Sequence, residues 1–360
     1  MRRHLTIAVV AAVALPGVAS AQLDLPRYAH TASLLPDGRV LLCGGLGPYD
    51  CFTLGSEISE APGVFSPGPP IHRARAFHTA TALQDGTVLI VGGFVLPYST
   101  TSTAELFDGI RFVFLPHRLS ERRELHAATL LMDGRVLITG GFVGGKRSLE
   151  LCDLYEPALR RFVPTGSLAD DRYGHTATLL PDGRVLVTGG LQFPANRTLR
   201  SAEAYDPATG AFAAAGEMAE ERYRHTATVL QDGRVLLTGG MSLERDHQLA
   251  STELYDPLTG RFQPGPPMAE ARMDHTATLL PDGRVLITGG FTAVGEPRTL
   301  ASCEAYDPAT REFVPAGELP APVHEHRATL LPDGSVLVTG GMVVAGGRRA
   351  TVAETAVLTP

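Results

Sequence analysis

The phrase H-T-A-T-L-L-P-D-G-R-V-L-I-T-G-G runs from His275 to Gly290, and the chain carries it in seven variants. Its leading histidine recurs as His30, His78, His126, His175, His225, His275 and His326, at steps of 48, 48, 49, 50, 50 and 51 residues. The first glycine of the closing pair always follows 14 residues later, at Gly44, Gly92, Gly140, Gly189, Gly239, Gly289 and Gly340. A unit of about fifty residues cannot cover both faces of its own sheet, so the units must stack on one another. A closed radial array of small sheets meets that demand. The expected fold is all-β: a seven-bladed β-propeller of four-stranded antiparallel blades. On such a scaffold a specific site can lie only where the copies differ.

Residues 275–325 show how one copy should fold. His275 to Leu280 reads as a strand, and Pro281-Asp282-Gly283 as its hairpin turn. Arg284 to Thr288 returns as a β-branched strand and ends at Gly289-Gly290, where a Cβ should not fit. A variable loop from Phe291 to Thr299 leads to a third strand, Ala301 to Tyr306. After the Asp307-Pro308-Ala309-Thr310 turn comes a short outer strand from Glu312 to Pro315. No helix of useful length is expected; Leu119 to Leu125 is the nearest candidate.

The two ends need separate reading. Arg2 and Arg3, the apolar run Leu5 to Leu15 and the small residues Ala19-Ser20-Ala21 make residues 1–21 read as a signal peptide. The expected mature chain, 22–360, is one propeller domain, secreted or periplasmic, with no membrane span. Loss of Arg2 and Arg3 would take the net charge from -7 to -9, which argues against a nucleic-acid partner. A lone lysine, Lys146, within a Lys+Arg total of 31 points to a GC-rich bacterial genome. Cys43 and Cys51 could form a disulfide or stay as thiols; Cys152 and Cys303 belong to distant repeats.

The order His, Asp-Gly, Gly-Gly, Tyr-Asp-Pro, aromatic resembles that of kelch repeats. The string L-L-P-D-G-R-V-L-x-T-G-G is most similar to the kelch propeller of galactose oxidase-type and bacterial extracellular proteins, and the resemblance spans residues 27–360. That family usually has Trp on the outer strand; this chain has Phe65, Phe112, Phe162, Phe212, Phe262 and Phe313. The seventh repeat stops after a third strand, Ala353 to Pro360. The resemblance implies that one terminus completes the other's blade. The last blade is thus expected to be incomplete or closed by the N-terminal segment, with Gln22 to Pro26 as donor.

Seven equivalent histidines form a ring and do not converge on one point, so they read as structural, bonded to neighbouring backbone, and no metal is expected. An arginine precedes six of them by three residues: Arg27, Arg75, Arg123, Arg172, Arg222 and Arg272, with Val323 in the seventh copy. Carboxylates repeat on the third strand at Glu105, Asp153, Glu203, Glu253 and Glu304, suggesting ion pairs that lock blades together. The informative positions are those just before each histidine and in the loops after each glycine pair. There Tyr28, Tyr173, Tyr223, Arg224, Asp274, His324 and Glu325, with Arg245, Asp246 and His247, form a candidate binding rim. Tyrosine faces stack on sugar rings while arginines and carboxylates fix hydroxyls.

The expected role is non-catalytic: a monomer that needs no cofactor and holds a glycan or an extracellular or periplasmic protein through one rim. Two enzymatic alternatives stand beside it. Glu325, His324, Asp274 and Arg224 could serve a sialic-acid type epimerase or mutarotase. Resemblance to galactose oxidase implies a copper site of two tyrosines, two histidines and a cysteine cross-linked to tyrosine. Only His72, His117, His247 and His324 are available for it beyond the leader and the repeats, and no Tyr-His pair occurs.

Overall fold

The computed structural model describes residues 18–359. Seven four-stranded antiparallel sheets surround a central channel. In blade six the strands run Thr276–Leu279, Val285–Thr288, Ser302–Asp307 and Glu312–Glu318, from the axis outward. The second strand of each blade, such as Val40–Cys43 or Val136–Thr139, is buried at every residue. Blades cover it on both faces, which explains its unbroken Val-Leu-Ile composition. The variable loop after the glycine pair folds back in six blades as a short ribbon, for example Phe291–Thr292 with Arg298–Thr299. Segment 119–125 forms no helix.

The repeated residues join the blades, though not in the way their spacing suggests. Each histidine ring hydrogen-bonds threonine hydroxyls of the preceding blade, not backbone. His175 reaches Thr139 at 2.8 Å, His326 reaches Thr288 at 3.0 Å, and His30 reaches Thr339 of blade seven at 3.1 Å. The arginine–carboxylate pairs lie inside one blade. Arg172 Nη2 donates to Glu203 at 2.7 Å and Nη1 to the Gly189 carbonyl at 2.8 Å. Arg27 does the same with Glu57, a member of the acidic series that spacing had not revealed. These carboxylates also accept N–H groups of the incoming loop, as Glu203 does from Ala169. The arginine backbone makes the inter-blade bond: Gly190 N–H donates to Arg222 O at 2.9 Å, and Gly341 N–H to Arg27 O at 2.8 Å. Gly290 can be nothing else, because its φ is +108° and a Cβ would sit 3.0 Å from the Met273 carbonyl.

The ring closes through Val18–Gln22, which pairs antiparallel with Glu354–Leu358 as the outer strand of blade seven. The N-terminal segment therefore completes the blade, but from further upstream than Gln22 to Pro26. The leader before Val18 lies outside the described residues. A chain starting at Gln22 would keep one residue of this strand. It would still retain the Leu23 N–H bond to Ala353 O at 2.8 Å and the inner-strand contacts. A chain beginning at Val18 should melt above one beginning at Gln22, by roughly 2–4 °C per kcal/mol of pairing lost. Calorimetry on the two chains checks this.

Candidate functional site at the channel mouth

The residue before each repeat histidine adopts a left-handed backbone: Ala29, Phe77, Leu125, Gly174, Arg224, Asp274 and Glu325 have φ between +51° and +61°. Six of these are not glycine, and the conformation is one that L-residues rarely hold without support. The support is a chain of hydrogen bonds around the axis. Phe77 N–H donates to Ala29 O at 3.0 Å, and the relay continues through Leu125, Gly174, Arg224 and Asp274 to Glu325. Every blade thus delivers one residue to the channel mouth. On the side of blades one to four these are Ala, Phe, Leu and Gly. On the side of blades five to seven they are Arg, Asp and Glu.

The charged half forms a triad. Arg224 Nη1 donates to Asp274 Oδ2 at 2.8 Å and to Glu325 Oε1 at 2.9 Å. Glu325 Oε2 is buried without a partner. Burial, reinforced by the nearby Asp274 charge, raises the Glu325 pKa, while Arg224 opposes the rise. Glu124 is pushed up to about 7 by burial, so at neutral pH its carboxyl can donate or accept. His324 is held below its usual range by burial, and its Nδ1 lies 3.2 Å from the Thr299 hydroxyl. The Tyr28 hydroxyl donates to Asp50.

A cavity of about 300 Å³ is lined by Tyr28, Phe77, Arg224, Asp274, His324 and Glu325, with Met273, Phe291, Met342, Val344 and Arg349; Glu124 is not in its wall. Five residues of the expected rim meet here: Tyr28, Arg224, Asp274, His324 and Glu325. The others lie apart from it. Tyr173 packs on Phe142 with ring centroids 4.7 Å apart, and the Tyr223 hydroxyl faces the Met241 sulfur. Arg245 pairs with Glu220 at 2.9 Å, and the His247 ring binds Arg245 O, so the 245–247 segment closes on its own blade. Phe291 and Met342 were legible as the apolar residue after each glycine pair. Arg349 carried no signal, since it comes from the ribbon Met342–Ala345 with Arg348–Thr351.

The donor chemistry does not fit a copper-radical centre. Of the histidines outside the repeat motif, only His324 lines the mouth. His72 is exposed and pairs with Glu105, and His117 is exposed. Among the described residues no three His, Cys, Asp or Glu side chains are grouped to hold a metal. Cys43 is buried, Cys51 is exposed, and all four cysteines are free thiols.

No protein-family model and no curated protein matches this chain. Among solved structures it is similar to a fungal alcohol oxidase of the AA5 family, determined in complex with copper. That match has a TM-score of 0.74 at 15% identity and covers 95% of this chain and 76% of the oxidase. At this identity the likeness is one of fold alone.

Proposed function

We propose that this is an exported kelch-type binding propeller that holds one uncharged saccharide unit at the channel mouth. The observation that carries the reading is the division of the mouth into an apolar half with Phe77 and a hydrogen-bonding half with Arg224, Asp274 and Glu325. A sugar offers an apolar ring face and a fringe of hydroxyls, which matches that division. The charges within the triad favour a neutral ligand. Two carboxylates already stand against one guanidinium, so a ligand carboxylate would meet repulsion at the triad. That weighs against sialic acid and against the mutarotase reading.

A glycan array followed by calorimetry on the leading hit tests the proposal. Phe77→Ala and Arg349→Ala should each weaken the hit at least tenfold, about 1.4 kcal/mol, with little change in melting temperature. Alanine is safe at position 77 because Ala29 occupies the same left-handed position in blade one. Absence of any glycan ligand, together with faster mutarotation of sialic acid followed by NMR, would replace this reading with the enzymatic one.

A further inference from the structure

Blade four presents a sheet edge that blades one, two, three, five and six protect. Opposite the buried acid of the third strand, the outer strand carries Pro67, Pro164, Pro264 and Pro315 in blades one, three, five and six. Blade two has Phe114 there, on an outer strand of only three residues, Phe112–Phe114. Blade four has Ala214 within Ala211–Glu217, a seven-residue strand without proline. In blades one, two, three and five the next residue donates its N–H inward, as Gly68 does to Ser56 O and Thr165 to Cys152 O. Strand alternation then turns the N–H at the preceding position outward. Proline removes that donor in four blades; Ala214 keeps it. Proline, charge, bulges and short length are the ordinary guards of an open edge; this strand has neither proline nor shortness, and its bulge falls after Ala214, between the Glu203–Ala214 and Ser201–Glu217 pairs.

A second break in the repeat falls at the same place. The turn of blade five beside this strand carries Leu258, which is 95% exposed. Blades three, four and six have Ala158, Ala208 and Ala309 at that point of the turn. Leu258, Pro257 and Tyr255 form one wall of a groove of about 540 Å³, and Ala211 to Gly216 form the other.

We propose that this edge pairs with the same edge of a second copy of the chain, antiparallel across a twofold axis at Ala214. The strand is its own complement. Ala211, Ala213 and Ala214 are exposed and too small to clash across the axis. Its one charged residue, Glu217, is balanced by Arg200 at 3.0 Å. Ala214 facing itself exchanges two reciprocal hydrogen bonds, and the isologous arrangement covers both Leu258 side chains. The dimer continues the sheet of blade four into its copy and leaves the channel mouth open, so it is independent of saccharide binding.

Sedimentation velocity on the full mature chain decides the matter. The wild type should be a dimer at about 100 µM. Ala214→Pro, a residue that four blades already accept here, should raise the dimer dissociation constant at least tenfold with an unchanged melting temperature. Leu258→Ala should act the same way, and Ala214→Ser, which keeps the N–H, should remain dimeric. A wild-type monomer at about 100 µM would overturn the proposal. So would a dimer indifferent to Ala214→Pro, or a monomer that instead takes up an added β-strand peptide at this edge.

Discussion

Acidification from neutral pH toward about 4 is expected to unfold the protein in one steep transition. The cause is the ring of repeat histidines. Burial holds His175 and His326 at about 3, and His30, His78, His126, His225 and His275 well below the ordinary 6.5. The folded pKa is depressed, so the unfolded chain takes up protons first. Above about 6.5 both states carry neutral imidazole and these groups add no pH dependence. Below it the unfolded state is protonated, the folded state is not, and stability falls, down to about 3 for His175 and His326. Each imidazole contributes about 1.4 kcal/mol per pH unit in that window, or roughly 10 for seven. Total stability of a domain is about 5–15 kcal/mol, so the ring should fail within one or two units below 6.5. Urea titrations monitored by circular dichroism from pH 7.5 to about 5 would show the slope, and His225→Asn should lower it by one proton. A stability that stays flat over that range would contradict the assignment of neutral, buried rings.

Removing one partner of a buried arginine–carboxylate pair should be the most damaging single change in the scaffold. Arg172→Val would leave Glu203 charged and unpaired in a site where its side chain is 6% exposed. The expected cost is about 3–5 kcal/mol. Blade seven shows what happens when both partners are exchanged. Val323 stands in place of the arginine and Ala356, opposite Val338, in place of the acid; together they form an apolar cluster. Pro320 replaces the residue that makes the shorter of the two backbone bonds to the acid elsewhere, as Ala269 does to Glu304, so that donor is absent there. Arg172→Val with Glu203→Ala should therefore recover a large part of the loss, leaving the Ala169 and Asp170 N–H groups as the residual defect. Chemical denaturation of the two single variants and the double variant measures the coupling. Strict additivity would show that the pair does not act as a unit.

Much of this fold was legible because the repeats constrain one another. The interval between histidines, the Asp-Gly turns and the Gly-Gly pairs are local signals, and seven copies remove the ambiguity that a single copy would leave. The same redundancy identified Tyr28, Arg224, Asp274, His324 and Glu325 as exceptions. It could not say which exceptions meet. Tyr223 and Arg224 are neighbours in sequence, yet only Arg224 reaches the mouth cavity, because the left-handed backbone at one position separates the directions of the two side chains. Glu57 and Arg349 escaped notice for different reasons. The first repeat spells its third strand Ser56–Ala61 differently from its counterparts, and the last ribbon is longer than the others, with Arg349 in the part that they lack.

By itself the sequence determined the number of blades, their strand order and which residues carry the shared framework, because those depend on hydrophobic period and turn chemistry close in the chain. Only the tertiary structure decided the rest. It showed that the histidines bind threonines of the preceding blade, that the arginines anchor loops within their own blade, and that ring closure uses Val18–Gln22. These pairings join residues about 30 to 340 positions apart. Their choice depends on which desolvated donor finds an acceptor once the blades have stacked, and local sequence carries no record of that.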